Sequence, residues 1–382
     1  MKKKRVGIIG GGIAGSSLAY TLSLYEQIEA TVFEKNQIGW ATTAKSAGTV
    51  CLVDDSLPHE YHDTRVMALN EFIRMDHESP GSSDFKRTGT LAVANDQKSL
   101  EYVRRVVDLT RKAGFTADLL DNDSIKKIVP DIVVDSLLGA AYTPEDGYVD
   151  GTAISMTYTN KARARGVRIL TGTDVTGISK STGGTLDAQT SRGNFTFDVV
   201  VDAAGPWSRR IGEMMGLDLP MWHTKAEVFI LQPKSPFSYK IPILKYPNFY
   251  TRPEDGKIFA CKSHMGLDLS NLKDAGRFDP DALPLTGGTE PYFWDFIVER
   301  LAENFPKLAE SSVVNDWVGY RSVTKDFLPI LGDSPLPGFM LMMGWSGNGI
   351  ILSPIASKDL ARYIVTGEKS NFLEKVSLER FR

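Results

Sequence analysis

Residues 10–15, Gly10-Gly11-Gly12-Ile13-Ala14-Gly15, constrain this chain more than any other stretch. They match the spacing G-x-G-x-x-G and lie between a strand pattern and a helix pattern. Ahead of them, Val6, Ile8 and Ile9 read as a buried strand over residues 5–10, closed by Gly10. Behind them, Ile13, Ser17, Leu18, Leu22 and Tyr25 recur at helical spacing over residues 13–25. Thr31 to Glu34 reads as a second strand, so the chain opens with a βαβ unit. Glycines in such a turn let backbone approach a pyrophosphate. The start of the next helix then offers free N–H groups and a positive dipole end to that anion. Glu34, 19 positions beyond Gly15, ends the second strand. A carboxylate there accepts hydrogen bonds from ribose hydroxyls and repels a 2′-phosphate, which disfavours NADP. The competing reading is a glycine-rich turn with a surface glutamate. The loop alone does not separate FAD from NAD, since both carry an ADP half.

The remaining chain is that of an ordinary globular protein. Its 382 residues suit two domains or one large interleaved one. A net charge of −3 gives no field that would favour nucleic acid or an anionic membrane. Cys51 and Cys261, far apart, form no disulfide framework, so a reducing compartment is expected. Lys2, Lys3, Lys4 and Arg5 ahead of the apolar stretch Val6 to Leu24 imitate a signal peptide, but five glycines there suit a turn better. With no other apolar run of spanning length, a soluble cytoplasmic protein is expected.

Helices are expected over 98–113, 121–129, 151–165, 293–304 and 353–366. Strand-like pieces recur at 90–94, 167–170, 174–180, 195–203, 226–231, 257–262 and 338–343, with long Gly/Pro-rich loops at 232–256 and 276–291. Dinucleotide-type signals occur at both ends and in the middle. One domain is therefore expected to be assembled from discontinuous segments with a second inserted between them.

Five segments carry a family resemblance. Thr42-Thr43-Ala44-Lys45-Ser46-Ala47-Gly48-Thr49 follows the second strand, and its hydroxyls and small residues suit a polar chain passing close to backbone. Val199-Val200-Val201-Asp202-Ala203-Ala204-Gly205-Pro206-Trp207-Ser208 is an apolar strand ending in small residues. Trp317-Val318-Gly319-Tyr320-Arg321, then Thr324 to Gly332, follow W-x-G-x-R … T-x-D-x-x-P-I-x-G. Phe339 to Met343 is a strand leading into the glycine loop Gly344-Trp345-Ser346-Gly347-Asn348-Gly349, and the chain ends near Leu378-Glu379-Arg380-Phe381. Together they resemble the D-amino-acid-oxidase-like FAD-dependent superfamily, which includes glycine oxidase, sarcosine oxidase β subunit and dye-linked L-proline dehydrogenase types.

The resemblance implies an α/β fold. It has a discontinuous Rossmann-like FAD-binding domain (1–80, 140–218, 315–382) and an inserted α+β substrate domain on a mixed or antiparallel sheet (81–139, 219–314). It implies FAD, non-covalent, because Cys51 is the one nearby candidate for attachment and free cysteines are usually buried hydrophobes. Gly10, Gly12, Ile13, Ala14, Gly15, Glu34 and Lys35 are the expected contacts of the ADP half. Thr42, Thr43, Ser46, Ala47, Gly48 and Thr49 would wrap the pyrophosphate, ribityl chain and flavin edge. Val175, Ala204, Gly205, Trp207 and Gly332, with Gly344, Ser346, Gly347, Asn348, Gly349 and Ile350, complete the cofactor set. The last group is a second glycine loop before a helix, whose fixed dipoles would face the N1–C2=O edge of the flavin and favour its reduction.

At the substrate end Arg321 is the leading candidate. A guanidinium fork matches a carboxylate bidentately, and the resemblance assigns this arginine to the substrate carboxylate. The competing reading is a structural ion pair, for instance with Asp326. Tyr250, in a Y-x-x-P-x-x-G stretch, would add a hydrogen bond or be a core tyrosine. Lys262 and His264, two apart on one strand face, are further candidates against a solvated face. His59, Glu60, His62 and Asp63 lack the spacing of a metal site, so no metal is expected. The expected activity is oxidation of a C–N bond in a small amino acid or N-alkyl amino acid, by hydride transfer to flavin N5. Alternatives are a dehydrogenase subunit of a hetero-oligomer that spares oxygen, or a catalytically silent flavoprotein scaffold. The expected partner is a carboxylate-bearing small molecule. Neither nucleic acid nor a transmembrane segment is expected, and a homo- or hetero-oligomer is left open.

Overall fold

A computed structural model describes residues 2–54, 58–78, 81, 83–181, 183–263, 280–282 and 288–381. The expected opening is present. Strands β1 (Lys4–Ile9) and β2 (Ile28–Phe33) run parallel, with helix α1 (Ile13–Leu22) between them in sequence. They form part of a six-stranded sheet in the order Ile330–Asp333, Phe339–Met343, Val199–Asp202, β1, β2, Arg168–Leu170. All neighbours are parallel except the first pair, which is antiparallel. Parallel strands covered on both faces read as unbroken apolar runs, and every residue of Phe339–Met343 is buried.

α1 is buried nearly all round, Tyr20 being its one partly exposed residue. It packs against the helices Gly151–Ala164 and Gly349–Thr366. Small side chains permit the close approach: Ser17 Oγ lies 2.8 Å from Ser357 Oγ, and Thr159 Oγ1 donates to Ser16 Oγ at 3.2 Å. On the opposite face, Phe197 approaches so closely that a Cβ on Gly7 would lie 2.7 Å from its ring.

The second sheet has eight strands in the order Ser312–Val323, Trp222–Gln232, Lys257–Lys262, Phe249–Glu254, Ile243–Lys245, Thr90–Ala94, Gly139–Thr143, Asp118–Leu120. It is mixed: only Ile243–Lys245 and Thr90–Ala94 pair in parallel. Helix Pro291–Asn304 buries Phe293, Ile297 and Leu301 at helical spacing, and Phe293 meets Phe229 of the sheet at 4.7 Å between ring centroids.

Two sequence expectations need correction. Residues 232–256 hold the strands Ile243–Lys245 and Phe249–Glu254 rather than one long loop. Prolines at 242, 247 and 253 mask them, and Pro253 itself sits in a strand opposite Ile258. The stretch 195–203 is two strands in two sheets, broken at Asp198, whose carboxylate takes the Arg5 backbone N–H at 2.8 Å. Boundaries at 140 and 315 would cut Gly139–Thr143 and Ser312–Val323, both held in the eight-stranded sheet by ladder pairing. We therefore propose a domain division that keeps those two strands with that sheet. Among the described residues no helix is long and apolar enough to cross a membrane.

Asp202 ends its strand fully buried, its Oδ1 accepting from Ala204 N at 3.0 Å and Ser208 Oγ at 2.9 Å. Burial outweighs these bonds and pushes its carboxyl up to about 7. The folded state thus holds this proton more tightly than the unfolded chain. Its stabilising contribution is full below about pH 4 and is lost as pH rises through 7. Asp202→Asn should therefore gain stability relative to the native protein between pH 5 and pH 8, by roughly 1 kcal/mol or more. Denaturant unfolding at both pH values checks this, and a pH-independent difference would refute it.

Candidate active site

A cavity of about 710 Å³ runs between the two sheets. At one end the first glycine loop forms its floor. Gly10 has φ +109°, and a Cβ there would lie 2.4 Å from the Ala203 carbonyl oxygen. Gly15 does not line the cavity; a Cβ on it would meet Gly10 O at 2.0 Å, so it keeps helix and turn together. Gly12, the N-cap of α1, makes no side-chain cap, and Ile13 N donates to Thr43 Oγ1 at 3.3 Å.

Glu34 lies at the cavity edge, 6% exposed. Its Oε2 accepts from Gly11 N and its Oε1 from Asn36 N, both at 2.7 Å. Burial pushes its carboxyl above the ordinary value against those two bonds. Thus Glu34 holds the glycine loop as well as facing the cavity. Beside it, Asp281 gathers Lys35, Trp207 (Nε1 at 3.0 Å) and Arg210 (Nη1 at 3.2 Å). Val175, Ala204, Gly205 and Trp207 line this same end.

The 42–49 segment forms the next wall, and Thr42, Thr43, Ser46, Ala47, Gly48 and Thr49 all face the cavity. Gly48 has φ +65°, and a Cβ would lie 1.9 Å from Val149 O. The second glycine loop closes the wall through Gly347, Asn348, Gly349 and Ile350. Its helix, Gly349–Thr366, begins beside α1: a Cβ on Gly349 would contact Ile13 Cγ2 at 3.9 Å. Two helix amino ends therefore meet at one cavity. Gly344 and Ser346 stand behind the loop. Gly344 has φ +71°, and Ser346 donates its N–H to Ser322 O at 2.8 Å and accepts from Thr324 N at 3.3 Å. Gly332, in the Ile330–Asp333 strand, lies away from the cavity.

The eight-stranded sheet supplies the opposite wall. Lys245, Tyr250 and Cys261 form one row across three strands, since Tyr250 pairs with both others. Arg321 reaches this row, its Nη2 lying 3.7 Å from Cys261 Sγ and 3.5 Å from Lys262 O. Asp326 pairs with Arg380 instead (2.7 Å), so among the described residues no carboxylate neutralises Arg321. Burial drives the Tyr250 hydroxyl well above its ordinary value and pushes the Cys261 thiol up as well. Both stay protonated near neutrality.

Lys262 points away, its ammonium 5.1 Å from the Phe296 ring centroid, because neighbours on a strand face opposite sides and Cys261 takes the cavity side. His264 lies outside the described residues. Cys51 is 1% exposed, accepts from Thr90 Oγ1 at 3.2 Å, and is pushed up to about 12 by burial, away from the cavity. Sequence reasoning missed Lys45, Asp54, Lys245 and Cys261, which all line the cavity. Among the described residues no group of three or more metal-ligating side chains occurs.

The comparisons with known proteins fit this geometry. Residues 5–363 match the DAO family model, described as FAD dependent oxidoreductase. The chain belongs to this family. It is 26% identical to a glycine oxidase from Geobacillus kaustophilus, over 98% of this chain and 96% of that one. It is 24% identical to the mitochondrial dimethylglycine dehydrogenase of Rattus norvegicus, over 94% of this chain but 43% of that protein. The chain thus spans about two fifths of the length of such mitochondrial relatives. Its fold superposes on the G. kaustophilus glycine oxidase with TM-score 0.81 (22% identity, 98% and 99% covered). It superposes on an L-proline dehydrogenase from P. horikoshii with TM-score 0.83 (24% identity, 100% and 98% covered). The cofactor is FAD, and the two helix ends, the glycine cradle and Glu34 are chemically suited to its pyrophosphate and ribose.

Gly48→Ala should lower stability by more than about 2 kcal/mol, because φ and space both exclude a Cβ there. The purified variant should also lose bound flavin, read as the flavin-to-protein absorbance ratio. Retention of flavin at native melting temperature would show that the turn tolerates side chains.

Proposed function

We propose that this chain oxidises the C–N bond of a small amino acid or N-alkyl amino acid, clamping the substrate carboxylate on Arg321. The observation that carries the reading is a guanidinium with no carboxylate partner among the described residues, on the wall facing the two helix ends. A cation so placed is matched by an anionic ligand, and a planar fork selects a carboxylate. Tyr250, held protonated, donates a second hydrogen bond. Cys261, a neutral thiol, leaves the charge of Arg321 for the ligand.

The clamp fixes one end of the substrate so that its α-carbon or N-methyl carbon faces the cofactor, and positioning supplies most of the acceleration. FAD, when bound, supplies the acceptor for the hydride. The resulting imine is hydrolysed by water, with no side-chain base needed beyond loss of the amine proton. Names among the relatives and fold neighbours support the substrate class, including 4-methylaminobutanoate oxidase from Paenarthrobacter nicotinovorans and iminodiacetate oxidase from Chelativorans sp. BNC1. Non-covalent FAD is supported by the inert burial of Cys51, and a reducing, cytoplasmic location by two free buried cysteines.

Arg321→Ala should raise KM for the carboxylate substrate at least about 30-fold while sparing flavin content. The substrate comes from anaerobic bleaching with glycine, sarcosine, proline and D-amino acids, and peroxide formation in air separates oxidase from dehydrogenase. An unchanged KM would remove Arg321 from the site. Failure of every amine and amino acid to bleach the flavin would favour a silent flavoprotein.

A further inference from the structure

We propose that Phe327 packs its ring against the flavin half of bound FAD, presented there by a strained turn that Arg380 fastens from behind. The proposal rests on the reading that the Gly347–Ile350 loop faces the flavin.

Among the described residues four that are not glycine have a left-handed backbone: Asp84, Asp255, Phe327 and Ser346. The short polar side chain of an aspartate makes that region tolerable. A phenylalanine has no such help, and at φ +61° Phe327 bears a steric cost that glycine would not meet. Core packing does not offset it. Leu328, the next residue, packs against the core around α1. Phe327 is half-buried and, among the described residues, belongs to none of the hydrophobic clusters. It lines the cavity together with Asp326.

The turn is held on two sides. Within it, Phe327 N donates to Thr324 O at 3.2 Å and Leu328 N to Asp326 Oδ1 at 3.1 Å. Thr324 is fully buried and donates through Oγ1 to Leu328 O at 2.7 Å. Its N–H donates to Ser346 Oγ at 3.3 Å, so the turn and the second glycine loop are bonded to each other. From behind, Arg380 places Nε 2.7 Å from Asp326 Oδ2 and Nη2 2.8 Å from Leu328 O. Its Nη1 donates to Val376 O at 2.6 Å and Ser377 O at 2.9 Å. All three guanidinium nitrogens are engaged, and Arg380 itself does not line the cavity. A bulky residue kept in an unfavourable backbone by this many bonds, on a cavity wall and outside the core, points to a contact with what fills the cavity. Beside a loop that faces the flavin, that contact is with the flat isoalloxazine ring, and packing of two flat rings raises affinity severalfold.

Stability without FAD and affinity for it test the proposal together. Stripped of FAD, Phe327→Gly should melt at or above the native apoprotein, because glycine relieves the left-handed backbone. Titrated with FAD and followed by flavin absorbance, it should bind at least about fivefold more weakly, while its affinity for ADP stays native. Arg380→Met should weaken FAD binding in the native background and not in Phe327→Gly, which marks Arg380 as a positioning residue acting through the ring. Native FAD affinity in Phe327→Gly overturns the proposal. So does a lower melting temperature of its apoprotein, which would make the ring a core residue, or an equal loss of ADP affinity, which would put it at the adenosine end. Equal losses from Arg380→Met in both backgrounds overturn the part given to Arg380. Gly349→Asp tests the underlying reading: an added Cβ would meet only ordinary contacts, the nearest Trp345 Cβ at 3.5 Å. A carboxylate there changes the affinity or spectrum of FAD if the loop faces the flavin. Native values in that variant would show that the placement of the loop has failed; a change there beside native affinity in Phe327→Gly would sink the proposal alone.

Discussion

The arrangement depends on how the edge strand Ser312–Val323 is stitched to the loop at residues 42–45. Trp317 Nε1 donates to Lys45 O at 3.1 Å, Lys45 Nζ to Val318 O at 2.9 Å, and Thr42 Oγ1 to Tyr320 O at 3.1 Å. These bonds join one sheet to a loop of the other. Each is worth about 1 kcal/mol net, so their weight lies in geometry more than in energy. Alternate residues of a strand share a face, which puts 317, 319 and 321 on one side. Trp317 anchors that side, and Gly319 lets it approach, since a Cβ there would stand 3.3 Å from Lys45 Cβ. Arg321 projects beyond both. The spacing W-x-G-x-R is thereby a physical statement: anchor, clearance, and the arginine we propose as the clamp. The 42–49 wall of the cavity and the arginine facing it are placed by the same contacts.

The sequence was legible where function is local. A strand, a glycine turn and a helix start are contiguous, so residues 5–34 could be read by pattern alone. The second glycine loop was legible for the same reason, since Phe339–Met343 leads directly into it. The sheet wall of the cavity was not. Lys245, Tyr250 and Cys261 form a row only through the register of three strands, and register is set by pairing partners far along the chain. Lys262 drew notice for its charge, yet the parity of its strand turns it outward and Cys261 inward. Asp54 and Arg65 carry no motif. A helix nevertheless brings Arg65 to Asn348, 283 positions away.

Inside the molecule a charge survives where an ionised partner bonds it directly. The Cys51 and Cys261 thiols and the Tyr250 hydroxyl are kept neutral by burial, which outweighs the nearby cations Lys245 and Arg321. Lys245 is drawn down by burial, but Asp54 more than compensates and holds it above its ordinary value. Arg321 departs from this rule: it is half-buried and charged, and the thiol beside it supplies no counter-charge. A guanidinium cannot shed its proton to relieve the cost, so an anion arriving in the cavity meets a partner already desolvated on one side.

The two ends of the cavity are also built from different materials. Around the glycine loops the cavity presents backbone N–H groups and helix ends beside the Thr43 and Glu34 side chains. Substitution there is restricted where a Cβ would collide, as at Gly10, Gly15 and Gly48, and at Glu34, which holds the Gly11 and Asn36 N–H groups. The sheet wall is the reverse. Its chemistry resides in the side chains at 245, 250, 261 and 321, while its backbone is committed to ladder bonds. If Arg321 and the row beside it hold the substrate as proposed, replacements on that wall change what binds while the glycine loops stay as they are. The cofactor is then kept, and the substrate is decided by the side chains that three strand registers align.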